Sequence, residues 1–334
     1  MELQSYTLKN KNGMQIEVLN LGGIVTKLLI PNRLGCFTDV VLGFDDPIDY
    51  LTKNPPYFGC LIGRYGNRIA QGQFRLDGKK IQLNVNRSPN TLHGGMSGFD
   101  KKFWKVTSLP KKNSLKLELT SPNGDEGFPG NLKAEVLYTL TDDNEWKISY
   151  EASSDQPTPV NLTNHTYFNL SGMKNNTILD HKILIHADHI TSVDQNLTPT
   201  GEIRNILSTE MDFTKFKAIG LDISKVQEGG GYDHNYVLND FDKSLKHQAT
   251  LHDPQGGIEM KIFTTEPGLQ FYAGNFLKGN LIGKEGIIYE KNAGMCLETQ
   301  HFPDSPNHPH FPNTILRPGE VYQSQTIYRF TSST

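Results

Sequence analysis

The chain reads as an all-β protein of many antiparallel strands with few short helices, arranged as two large packed sheets or an extended sandwich. Three features carry that reading: apolar and polar residues alternate, turn residues sit between the alternating segments, and helical periodicity is scarce. Period two sends successive side chains to opposite faces of a strand, so one face of each strand can enter a core.

The segments justify this in order. Tyr6 and Leu8 precede Asn12-Gly13, and Met14, Ile16 and Val18 follow it. An Asn-Gly pair between alternating runs is a strong hairpin signal. Phe74 and Leu76 lead into Asp77-Gly78, with Ile81 and Leu83 beyond, which predicts a second hairpin. Val136, Tyr138 and Leu140 lead into Asp142-Asp143-Asn144, and Trp146, Ile148 and Tyr150 return. Gln248 to Leu251 and Ile258 to Phe263 flank Pro254-Gln255-Gly256-Gly257 in the same way. Only Thr209 to Ile219 suggests a short helix or two turns. No linker rich in Gly, Ser or charge interrupts the 334 residues, so a single domain over 1–334 is expected.

Composition narrows the function. With 36% hydrophobic and 21% charged residues, the chain has the balance of a globular protein. A net charge of −3 leaves no electrostatic footprint for nucleic acid. No apolar run reaches the length of a membrane span, and the start lacks a basic region followed by an apolar stretch, so neither membrane insertion nor secretion is expected. Cys36, Cys60 and Cys296 are widely spaced and odd in number, which fits a reducing, cytoplasmic compartment rather than a disulfide framework. His181, His186 and His189 form no recognised metalloenzyme signature. His308 and His310 sit in a Pro-rich stretch, Pro303 to Pro312, with no cysteine nearby. No metal or other cofactor is expected.

Five segments hold residue types suited to a sugar cleft. If Pro159 to Leu170 is extended, Asn161, Thr163, His165, Tyr167 and Asn169 share one almost wholly polar face. Such a face suits a ligand that needs many directional hydrogen bonds, and it equally suits a sheet surface facing water. In Gly294 to Phe302, Glu298 lies inside an apolar run on one face with Cys296 and Gln300. Partial burial raises a carboxyl pKa and can tune it as a general base, although a Glu paired with a nearby Lys or Arg reads the same way. Leu92-His93-Gly94-Gly95 allows a tight turn and close approach of a ligand. Arg64-Tyr65-Gly66-Asn67-Arg68 offers two guanidinium forks, for vicinal hydroxyls or for structural ion pairs. Asp233, after Gly229-Gly230-Gly231-Tyr232, can accept bonds from sugar hydroxyls or cap a turn.

Taken in order, these segments closely resemble the aldose 1-epimerase (galactose mutarotase) family. The blocks are Asn67-Arg68-Ile69-Ala70, Leu92-His93-Gly94-Gly95, Asn164-His165-Thr166-Tyr167-Phe168-Asn169-Leu170, Tyr232-Asp233-His234, Leu269-Gln270-Phe271-Tyr272 and Leu297-Glu298-Thr299-Gln300. The resemblance runs from the first hairpin to Leu316-Arg317-Pro318-Gly319-Glu320, and Pro303 to Pro312 is like the family's loop after the catalytic Glu. Gly66 stands where many relatives have Ala. The resemblance implies a β-supersandwich of the galactose mutarotase-like type. It implies a cofactor-free enzyme acting on one small-molecule aldose such as galactose or glucose; the sequence leaves monomer and homodimer both open. It makes Glu298 the general base and His165 the general acid, with Asn67, Arg68, His93, Tyr167, Asp233 and Gln270 lining the sugar site.

Three other functions compete. A hexose-6-phosphate 1-epimerase would need a cationic pocket, for which Arg64, Arg68 and Arg87 are the candidates. A glycoside hydrolase would need two carboxylates across the scissile bond, with Glu298 and Asp233 as the pair, and would leave His165 without a purpose. A non-catalytic sugar-binding β-sandwich would not need both Glu298 and His165.

Overall fold

The computed structural model describes residues 2–31 and 36–332. All four expected hairpins form. Ser5–Lys9 pairs with Gln15–Leu19, setting Leu8 opposite Ile16. Gln73–Leu76 pairs with Lys79–Gln82 around Asp77 and Gly78, whose φ values of 49° and 79° are those a tight hairpin turn needs. Leu132–Leu140 pairs with Glu145–Ser154, and Lys246–His252 with Ile258–Thr264.

Two sheets dominate. The larger has nine strands in the order Lys105–Leu109, Ser114–Ser121, Leu132–Leu140, Glu145–Ser154, Tyr322–Ser332, Ile258–Thr264, Lys246–His252, Lys182–Ile185 and Lys217–Ala218. The smaller has six, in the order Tyr167–Phe168, Met295–Gln300, Gly268–Tyr272, Asp233–Val237, His189–Val193 and Pro199–Asn205. The C-terminal strand sits in the middle of the larger sheet, between Glu145–Ser154 and Ile258–Thr264. The pairings are antiparallel, and the β-supersandwich expected for the family is what the chain adopts.

Between the two sheets lies one apolar core. Tyr138, Trp146, Ile148, Tyr150 and Tyr328 from the larger sheet belong to the same cluster as Leu269, Phe271, Met295 and Leu297 from the smaller. The Trp146 and Tyr328 rings stack at 5.2 Å, and the Tyr328 hydroxyl donates to the Leu297 carbonyl at 3.1 Å. Each such side chain contributes about 1.5–3 kcal/mol by leaving water. Burying Met295 and Leu297 on this side sends Cys296, Glu298 and Gln300 to the other, which is how the core orients the proposed base.

The structure decides two segments that the sequence left open. Thr209 to Ile219 takes the turn reading and not the α-helix, with the turns followed by the short strand Lys217–Ala218 and a 3₁₀ turn from Ile219. Asp212 Oδ1 accepts from the Thr214 N–H and hydroxyl, and Thr209 Oγ1 donates to the Ile206 carbonyl, local bonds that compete with a helix. Pro159 to Leu170 is not one strand either. Thr158–Pro159, Thr163–His165 and Tyr167–Phe168 pair with three different partners. Asn164 Oδ1 accepts from both the N–H and the hydroxyl of Thr166, a local turn that breaks the extended run after His165. The one α-helix among the described residues, Asp49–Thr52, is four residues long, and no helix is long and apolar enough to cross a membrane.

Candidate active site

The polar face of Asn161 to Asn169 does not face water: Asn161, Thr163, His165, Tyr167 and Asn169 are all buried. Most of its polar groups are spent on structure. Asn161 exchanges two hydrogen bonds with the backbone of His301, Thr163 Oγ1 donates to the Thr299 carbonyl, and Asn169 Nδ2 donates to the Ala293 carbonyl. Those ties hold the segment against the Glu298 strand and leave His165 available for chemistry.

His165 Nε2 lies 3.7 Å from Glu298 Oε1. Its other ring nitrogen, Nδ1, is 3.4 Å from Cys296 Sγ, two residues before Glu298 on the same strand face. Glu298 sits mid-strand, opposite Gln270, with 2% of its surface exposed, and its Oε2 has no protein partner. Burial pushes its carboxyl well above the usual carboxylate range, with the nearby Asp233 adding to the shift and Arg68 opposing it. Burial also pulls His165 down to about 4, against the opposing pull of its own backbone carbonyl. The pair therefore holds one dissociable proton across a wide pH range. A neutral carboxyl beside a neutral imidazole carries the same total charge as carboxylate beside imidazolium, so passing one proton between them interconverts the two forms.

The other residues named from the sequence converge here. His93 and Asn67 both adopt left-handed backbone (φ 51° and 62°) and lock one another. The His93 N–H donates to the Asn67 carbonyl at 2.9 Å, and the Asn67 N–H donates to His93 Nδ1 at 3.1 Å. With Nδ1 accepting, the neutral ring carries its proton on Nε2 and presents a donor. Burial, then His165 and Arg68, keep His93 well below its ordinary pKa, which favours that neutral ring. The His93 and His165 rings meet edge to face at 5.1 Å. Arg68 is buried, with Nη1 3.3 Å from Asn67 Oδ1 and Nε unpartnered. Gln270 Nε2 donates to Asp233 Oδ1 at 2.7 Å, leaving Gln270 Oε1 unpartnered. Tyr167 packs against His165, Phe58 and Tyr272 in a small apolar cluster, so it backs the imidazole.

Arg64 is not part of this site. Its guanidinium donates to Ser121 Oγ and to the carbonyls of Ser121, Pro122 and Pro129. Two neighbours went unnoticed in the sequence. The Tyr57 ring contacts both His93 and His165, at 4.8 and 5.6 Å, and is only partly buried; Pro55-Pro56 before it was the available signal. Cys296 was seen only as a face-mate of Glu298. One ligand-type atom each from His93, His165 and Glu298 lies within 4.8 Å of the others, close enough for a metal ion as well as for acid–base work. Arg68, Asp233 and Gln270 around them are groups that bind hydroxyls.

The family model for aldose 1-epimerase matches residues 4–329. The chain is 45% identical to the galactose mutarotase of Bos taurus over 318 residues, covering 95% of this chain and 91% of that protein. It is 38% identical to the aldose 1-epimerase of Escherichia coli (strain K12), covering 97% and 94%. Among solved structures it resembles the GalM/aldose epimerase homologue from C. elegans, with a TM-score of 0.92 at 32% identity over the full length of both chains. It also resembles galactose 1-epimerase from Lactobacillus acidophilus NCFM, with a TM-score of 0.83 at 26% identity over the full length of both. With a family match over nearly its whole length and relatives this similar, the chain belongs to the aldose 1-epimerase family of enzymes.

Proposed function

We propose that the protein interconverts the α and β anomers of free aldohexoses such as galactose and glucose by acid–base ring opening and reclosure. The observation that carries this is the buried His165–Glu298 pair at 3.7 Å, ringed by groups that suit neutral hydroxyls. In the working form Glu298 is a carboxylate and takes the proton of the C1 hydroxyl. His165, as imidazolium, gives a proton to the ring oxygen as the bond from C1 to that oxygen breaks. The aldehyde turns about the C1–C2 bond and closes from its other face, and both transfers reverse. Asn67, Arg68, Asp233 and Gln270 hold sugar hydroxyls, and His93 donates from Nε2. Each acid or base contributes typically about 10²–10⁴-fold.

Structural use of the Arg64 guanidinium weakens the phosphorylated-substrate alternative, because it removes one of the three cations that reading needs. Cys60 and Cys296 are buried thiols, consistent with a reducing cytoplasmic setting. Polarimetry on fresh α-D-galactose and α-D-glucose with purified protein tests the reading. Acceleration of either supports it. Preference for glucose 6-phosphate favours the phosphorylated alternative, and saturable sugar binding without acceleration leaves a binding protein.

A further inference from the structure

We propose that Asp304 is a positioning residue for Arg68, its backbone N–H and carboxylate holding the chain at that arginine and just after it. The inference rests on Arg68 as a hydroxyl-binding group. It gives a role to the loop that follows the Glu298 strand.

Asp304 is 1% exposed and adopts left-handed backbone (φ 58°), a conformation in which Asp is several-fold enriched. Its N–H donates to the Arg68 carbonyl at 2.9 Å. Its Oδ1 accepts from the Ala70 N–H at 2.9 Å and from Asn307 Nδ2 at 2.7 Å. Its Oδ2 lies 3.2 Å from His308 Nε2. Asp304 thus holds the Arg68 carbonyl through its backbone and the Ala70 N–H through its side chain, the latter across 234 residues of sequence. Neighbouring bonds extend the seam. The Tyr65 hydroxyl donates to the Phe302 carbonyl at 3.1 Å, the Ser305 N–H donates to the Tyr65 oxygen at 3.1 Å, and Asn307 Nδ2 donates to the Gln73 carbonyl.

The guanidinium itself has little to hold it. Its Nη1 makes one long bond to Asn67, and Nε is buried without a partner. Where it points is set mainly by the backbone beneath it. An ionised carboxylate suits that backbone because it accepts several bonds at once, and charge-assisted bonds are about twice as strong as neutral ones. The same loop continues directly from the strand bearing Glu298, so the base and the sugar-binding arginine are held in one frame.

A double-mutant cycle on KM and kcat for α-D-galactose tests this, using Asp304→Ala, Asp304→Asn and Arg68→Ala with circular dichroism as the folding control. Asp304→Ala is expected to raise KM about tenfold, equivalent to about 1.4 kcal/mol, with kcat within about threefold of wild type. Added to Arg68→Ala, it should raise KM by less than about twofold more, because the clamp then has nothing to position. Asp304→Asn keeps an oxygen for the Ala70 N–H and should show a smaller rise with the same loss of additivity; its cycle decides if the alanine variant does not fold. A KM effect that multiplies in full on Arg68→Ala, or that is absent, overturns the inference. Arg68→Ala with unchanged KM removes Arg68 from the site and the clamp with it. A raised KM in Arg68→Ala beside unmoved Asp304 variants overturns the clamp alone.

Discussion

Replacing His165 by Asn and Glu298 by Gln should reverse the pH dependence of the residual activity in opposite directions. The wild-type pair works in its one-proton form. Below the lowered His165 value of about 4 both groups are protonated and no base remains. Above the raised Glu298 value the last proton leaves and no acid remains. The rate should therefore follow a bell, with its acidic limb near about 4 and its alkaline limb well above the ordinary carboxyl range. The limbs belong to the pair, since two groups 3.7 Å apart titrate together. In His165→Asn only the base is left, so the residual rate should rise as pH passes the raised Glu298 value. In Glu298→Gln only the acid is left, so the residual rate should fall as pH climbs above about 4. Each variant should lose at least about 10²-fold in kcat, about 2.7 kcal/mol, and the double variant less than the product of the two. The assay is initial polarimetric rate against pH, with the buffer-catalysed rate subtracted and circular dichroism confirming the fold. A well-folded His165→Asn protein with near wild-type kcat would refute His165 as the acid, and His93, whose ring lies 5.1 Å away, becomes the next residue to test.

Further outcomes follow from the same geometry. Glu298 has a raised folded-state pKa, so its stabilising contribution is present at low pH and is lost as pH rises through that value; Glu298→Gln should melt progressively higher than wild type toward alkaline pH, and a pH-independent difference in Tm would contradict its burial as a neutral acid. Arg68→Ala should cost about 1–3 kcal/mol in kcat/KM without unfolding the protein, and unchanged kinetics would take Arg68 out of the site. Activity should survive exhaustive EDTA treatment and dialysis; loss that a divalent metal restores would mean that His93, His165 and Glu298 work around an ion. Tyr328→Phe should destabilise the fold by about 1 kcal/mol through the lost bond to the Leu297 carbonyl, measurable by urea denaturation, and no change would remove that bond from the account of how the Glu298 strand is held.

What could be read from the sequence was local. Asn12-Gly13 and Asp77-Gly78 mark their hairpins because turn geometry is set by the residues in the turn and the alternation beside it. Glu298 shares a face with Cys296 and Gln300 because strand period is two, whatever the partners. The ordered blocks from Asn67 to Gln300 carried the family, and with it the expectation that Glu298 and His165 act together.

Tertiary structure decided what depends on partners far along the chain. Asn161 to Asn169 carries a polar face that sequence cannot assign to water or to interior; contacts with His301, Thr299 and Ala293, over 120 residues away, bury it. Arg64 and Arg68 look equivalent as guanidinium forks four residues apart. The carbonyls of Ser121, Pro122 and Pro129 consume the first, and only the second joins Asp233 and Glu298. Tyr57, marked locally only by Pro55-Pro56, and Asp304 acquire their neighbours from sheet order and loop packing. Burial itself is a property of the assembled sheets. It raises the Glu298 carboxyl and lowers the His165 imidazole, because the low-dielectric surroundings that penalise charge exist only once the strands around them have closed.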